Sequence, residues 1–97
     1  MDDERTRALD LLRAAHRFPV EYHVSVITFT DEETFAALRA AVEQGLPAPL
    51  GAEAYQTIPS GGGKYTSHRF RVPCAEAEDV LALYDRIRAV KGVVTVL

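Results

Sequence analysis

Three consecutive glycines, Gly61-Gly62-Gly63, stand between two stretches with strand character, residues 53–58 and 64–72. Glycine reaches backbone angles that other residues avoid, so such a run lets an extended chain reverse tightly. It predicts an antiparallel hairpin in the middle of the chain. The run Pro59-Ser60-Gly61-Gly62-Gly63-Lys64 could also present successive backbone amides as a nest for an anion. That makes Ser60 and Gly63 candidate ligand contacts. A nucleotide-binding P-loop is excluded. It needs its lysine followed by Ser or Thr and then a helix, whereas Lys64 is followed by Tyr65 and a strand. The hairpin is the preferred reading.

Periodicity assigns the other elements. Residues 3–16 read as a helix with a weak apolar stripe, Ala8, Leu11, Leu12 and Ala15. Residues 20–29 read as a strand. Val20, Tyr22, Val24 and Val26 share one face; Glu21, His23 and Ser25 share the other, which turns apolar at Ile27 and Phe29. Thr30-Asp31-Glu32-Glu33 reads as a capping box with Thr30 as the cap. The helix after it carries Phe35, Leu38, Ala41 and Val42, with Gly45 as its stop. In the strand after the glycines, Phe70 and Val72 share one face and Tyr65, Ser67, Arg69 and Arg71 the other. Pro73 is expected to end it. Residues 76–90 have the strongest helical stripe, Val80, Leu83, Tyr84, Ile87 and Val90. Early acids (Glu76, Glu78, Asp79) and late arginines (Arg86, Arg88) suit the helix dipole. Gly92 marks its end, and residues 93–97 read as a last strand.

After the first helix the order is therefore strand, helix, strand, strand, helix, strand. This is an α+β plan, the ferredoxin-like βαββαβ sandwich: a four-stranded antiparallel sheet with two helices on one face. The first and third strands are central. Residues 1–17 form an extra N-terminal helical extension, and residues 18–97 form the domain. The last strand, Val93 to Leu97, is almost wholly apolar, yet this plan puts it at a sheet edge. An exposed apolar edge invites pairing, so the N-terminal helix or a second chain is expected to cover it.

Composition narrows the function classes. A chain of 97 residues can bury one core without staples. A net charge of −3 argues against general nucleic-acid binding, which draws on a basic excess. The single cysteine, Cys74, rules out an intrachain disulfide and suits a reducing compartment. The charged start and the lack of a long apolar run argue against a signal peptide and a membrane span. A cytoplasmic location is expected.

Three blocks carry a resemblance. Phe18-Pro19 leads into the first strand. Pro59-Ser60 through Gly63 is followed by Tyr65 and Ser67. Leu83-Tyr84 runs on to Val93, Val96 and Leu97. With the spacing between these blocks, residues 18–97 resemble the YbeD-like family of small bacterial proteins of unknown function. Its members have a ferredoxin-like fold similar to ACT regulatory domains. The resemblance implies that fold, and the frequent association of ACT-like domains implies a homodimer. It implies no substrate. Ser25-Val26-Ile27-Thr28 stands where family members often carry Lys-Val-Met-Gly, so no ligand site is carried over to the end of the first strand.

The candidate site is the open face of the sheet. Glu21, His23, Tyr65, Ser67, Arg69 and Arg71 fall there by strand parity, with Ser60 and Gly63 at the hairpin. This mixture suits an anionic ligand or a protein partner; the plain alternative is a solvated face with weak ion pairs. A metal site is not expected. His23 and His68 have opposite parity, and Cys74 has no second thiol. No general base is placed for Cys74 as a nucleophile. A metallochaperone would need a Cys-x-x-Cys pair, which is absent. Asp31, Glu32 and Glu33 are explained by helix capping. No cofactor is expected. The expectation is a non-catalytic regulatory or adaptor domain that binds a small metabolite or a protein partner, as a homodimer. The alternative is a nucleic-acid module using Tyr65, Arg69 and Arg71 on the open sheet.

Overall fold

The computed structural model describes residues 3–97. Helix α1 (Asp3–Ala15) precedes strand β1 (Val20–Phe29) and helix α2 (Glu32–Glu43). A 3₁₀ turn at Ala52–Ala54 leads into β2 (Tyr55–Pro59), then β3 (Tyr65–Cys74), α3 (Ala77–Arg88) and β4 (Val93–Val96). The sheet is antiparallel with strand order β2-β3-β1-β4. β3 lies between β1 and β2, and β1 lies between β3 and β4. This is the ferredoxin-like interleaving, with β1 and β3 central.

One face of the sheet is dry. Val24, Val26, Phe70, Val72 and Cys74 meet Leu38 and Val42 of α2 and Val80, Leu83 and Ile87 of α3. Each such side chain contributes about 1.5–3 kcal/mol on full burial. Parity then sends Glu21, His23, Ser25, Ile27 and Phe29 to the other face.

Four local details differ from the sequence reading. The cap of α2 is Asp31, not Thr30: Asp31 is extended, and its Oδ2 accepts the Thr34 amide at 3.1 Å. Thr30 is held back by the sheet. Its amide donates to Lys64 O at 3.0 Å, and its hydroxyl pairs with that of Thr66 at 2.8 Å, so the helix begins one residue later. Pro73 does not end β3, which continues opposite Glu21 and Val20 to Cys74. Pairing with β2 stops at Phe70, so no neighbour needs the missing N–H. β2 starts at Tyr55 rather than at Glu53, because residues 52–54 coil into the 3₁₀ turn. Lastly, α2 ends at Glu43 with Gln44 as a right-handed cap, ahead of Gly45.

Helix α1 packs against α3 rather than over the β4 edge. Arg13 meets Glu78 at 2.6 Å and Arg5 meets Asp85 at 3.6 Å. These pairs are half-exposed and contribute only tenths of a kcal/mol, on the order of 0.2–1 each. No α1 side chain is fully buried; Leu12 alone among its leucines reaches the edge of the core. Val94 and Leu97 stay 48% and 70% exposed, so this helix does not shield the last strand. The Phe18–Pro19 peptide that leads from α1 towards β1 is cis.

Candidate functional site

The registers of the three strand pairs lay out the open face as rows. Tyr65 stands opposite Phe29. The next row is Ile58, Ser67, Ile27 and Thr95, and the one after it Gln56, Arg69 and Ser25. Ser25 exchanges both backbone bonds with Leu97, at 2.7 and 3.4 Å, which completes that row. Arg71 and His23 follow, then Pro73 and Glu21. The face is therefore split. Phe29, Tyr65, Ile58, Ile27 and Leu97 form an apolar end, and Arg69, Arg71, His23 and Glu21 a charged end.

All six sheet residues singled out by sequence lie on this face. At the charged end, Arg71 lies 3.6 Å from Glu21, which also sits 4.0 Å from His23. Arg71 Nη2 donates to the carbonyl of Glu53. Arg69 is exposed and belongs to none of the ion pairs among the described residues. At the apolar end, the rings of Phe29 and Tyr65 sit 5.5 Å apart, and the Lys64 ammonium lies 5.4 Å from the Tyr65 ring. Ile27, Ile58 and Leu97 were not among the sequence candidates. Ile27 is visible from parity alone, but Ile58 and Leu97 join it only through the pairing of β2 and β4.

Ser60 and Gly63 lie apart from these rows, in the hairpin. The Gly63 amide donates to Ser60 O at 3.0 Å, and the Tyr65 amide to Ser60 Oγ at 3.2 Å. Ser60 N closes the turn on Tyr65 O at 2.8 Å. Those amides are directed into the turn, and only Gly63 of the three glycines has a left-handed φ, +75°.

On the covered face, His68 is fully buried and bridges three elements. Its Nδ1 lies 2.9 Å from the Tyr55 hydroxyl and its Nε2 3.0 Å from Thr28 Oγ1. Thr28 gives its only hydroxyl proton to Phe29 O at 2.8 Å. It must therefore accept from Nε2–H, which leaves Nδ1 to accept from Tyr55. The neutral ring is satisfied on both sides, with Phe35 edge-on at 4.8 Å. Sequence parity puts His68 on this face; nothing one-dimensional names Thr28 and Tyr55 as its partners.

Burial lowers the His68 pKa from 6.5 in the folded state. The unfolded chain binds this proton first as pH falls. The stability due to the neutral ring is thus complete above about pH 6.5 and is lost as pH drops towards the lower folded value. The urea midpoint is expected to fall between pH 7.5 and 5, and His68→Gln should flatten that dependence. An equal slope in both proteins would contradict the assignment.

The Cys74 thiol is buried and pushed up to about 11, first by desolvation and then by Asp79, with Arg86 opposing. It stays a thiol at neutral pH, a poor nucleophile. Among the described residues no three His, Cys, Asp or Glu side chains gather as a metal site. No helix among them is long and apolar enough to cross a membrane.

The model of a family of proteins of unknown function, DUF493, matches residues 13–97, from the last turn of α1 to the final residue. No curated protein matches the chain.

Proposed function

The chain belongs to the DUF493 family of proteins of unknown function, and on that footing we propose that it is a non-catalytic regulatory or adaptor domain that docks a protein partner on its open sheet face, in the first instance a second copy of itself. The uncovered apolar end carries this reading. Phe29, Ile58 and Leu97 are 46%, 36% and 70% exposed, and they adjoin Ile27 and Tyr65 in the rows above. The segment Val93-Val94-Thr95-Val96-Leu97 holds no charged side chain, whereas a free edge strand is normally guarded by one. A two-fold dimer suits such a surface because the same patch serves both copies. Catalysis finds no support in the buried Cys74 thiol or in His68, both of whose nitrogens are engaged. The single buried cysteine fits a reducing, cytoplasmic setting.

Sedimentation of the full chain from micromolar to about millimolar concentration tests the reading. Reversible dimerisation is expected. The pair Ile58→Lys and Leu97→Lys should abolish it while changing monomer stability by no more than about 0.5 kcal/mol, since both sites are exposed. A monomer at every concentration would sink the self-association.

One observation favours a second reading. The adjacent Phe29 and Tyr65 rings on the central strands, with Lys64 above one of them, resemble a base-stacking platform. Under that reading single-stranded RNA binds at low salt, weakens steeply as salt rises, and loses affinity in Tyr65→Ala. No binding to an RNA oligomer at low salt would discard it.

A further inference from the structure

A cavity lies at the other end of the sandwich, away from the apolar end of the open face. Its volume is about 480 Å³, within the range of small-ligand sites. It opens where β1 begins, β3 ends and α2 gives way to its loop. Val20, Leu46 and Pro47 give it an accessible aliphatic lining above the buried Val72 and Leu83, and Gly45 and Arg86 stand on its wall.

Arg86 is the distinctive group. It is half-buried, and its Nε donates to Ala41 O at 2.7 Å in the last turn of α2. That bond anchors the guanidinium and satisfies one of the orphan carbonyls of the helix end. Structural capping accounts for Nε but not for the two Nη groups. Arg86 is in none of the ion pairs among the described residues, and its only side-chain hydrogen bond there is the one from Nε. Gly45 leaves the guanidinium uncovered: a Cβ at that position would lie 3.5 and 3.6 Å from Nη2 and Nη1.

The lining also holds two carboxylates, which keep their charge. Asp79 Oδ2 accepts the amides of Ala75 and Glu76, each at 3.0 Å. Glu21 sits with Arg71 and His23. The cavity thus holds the positive fork of Arg86, whose paired donors match a carboxylate, together with Asp79, whose charge no cation offsets among the described residues.

We infer that this cavity binds a small carboxylate with a compact aliphatic body, the carboxylate on the Nη pair of Arg86 and the body against Val20, Leu46 and Pro47. The inference extends the regulatory reading to a small effector at a separate place, and it stands or falls independently of self-association. Two sources share this chemistry: a simple branched acid, or the corresponding amino acid, whose ammonium group would lie towards Asp79 or Glu21.

Titration calorimetry of the full chain with 4-methylpentanoate, leucine and 4-methylpentanamide tests it. Saturable binding of either acid is expected, with the amide weaker by about tenfold or more. The acid that binds better identifies the source. Arg86→Gln should lose the acid by a similar factor. Because Arg86 also caps α2, Gly45→Leu is the second variant; it keeps the guanidinium, needs no left-handed backbone, and fills the mouth of the cavity. It too should abolish binding. Binding of the amide equal to that of the acids, full binding by folded Gly45→Leu, or no heat from either acid would overturn the assignment.

Discussion

Phe70→Ala should lower the unfolding free energy by about 3–5 kcal/mol, the usual cost of deleting a buried aromatic ring. Phe70 is 1% exposed at the centre of the sheet, opposite Val24 on one side and Tyr55 on the other. Its ring stacks on Tyr55 with centroids 4.6 Å apart and planes 10° apart. The loss therefore extends beyond one cavity. Tyr55 is the donor to His68, so loosening Tyr55 also weakens the Thr28–His68 chain behind it. A domain of this kind has only about 5–15 kcal/mol to lose, so a large fraction would unfold at moderate denaturant. Phe29→Ala is the internal control. Phe29 lies on the same sheet but 46% exposed, and its removal should shift monomer stability by less than about 1 kcal/mol. Chemical denaturation of both at micromolar concentration makes the comparison. Equal losses would mean that the two faces of the sheet are not divided as described.

Gly92→Ala should cost on the order of 2–4 kcal/mol, although it adds a single methyl group. Gly92 has φ +99°, a region that other residues avoid. The added Cβ would also lie 2.5 Å from Thr34 Oγ1 and 2.9 Å from its Cγ2. Thr34 cannot easily retreat. It is buried, its amide and hydroxyl both lie within hydrogen-bonding distance of Asp31 Oδ2, at 3.1 and 3.0 Å, and its hydroxyl is 3.3 Å from Lys91 O. Gly92 in turn accepts the Phe29 amide at 3.1 Å, the contact that starts the β1–β4 ladder. Gly62→Ala is the matched control: its φ is not left-handed, and an added Cβ would have nothing within 4 Å. It should be neutral within about 0.5 kcal/mol. If thermal melts placed the two variants together, the close packing of the β4 entry on α2 would be refuted.

The two glycine sites show how unevenly the sequence announces its constraints. The run at residues 61–63 is conspicuous, yet only Gly63 has a backbone that requires glycine, and all three are open to solvent. Gly92 reads as an ordinary helix stop. It is the position where a close approach between distant segments leaves no room for a side chain. The capping box at residues 30–33 fails for a related reason. The motif considers four neighbours, while the partner that decides the matter, Lys64 O, lies across the sheet.

Local pattern determined much of this protein. Period-two alternation in residues 20–29 and 65–72, and the 3.6-residue stripes of Leu38–Val42 and Val80–Ile87, set the element order and the covered face. They also put His68 in the core and Glu21, His23, Arg69 and Arg71 outside. These are properties of a chain meeting water, where burial of apolar side chains selects the face. Tertiary structure alone decided what those faces meet. The registers of β2 and β4 joined Ile58 and Leu97 to Phe29 and Tyr65, and the docking of α1 on α3 left that surface bare. The fold also brought Arg86 to Ala41 and Gly45, and Thr28 and Tyr55 to the two nitrogens of His68. Periodicity fixes only the direction in which a side chain points. Its partner is set by long-range registers and helix contacts, which no local window contains.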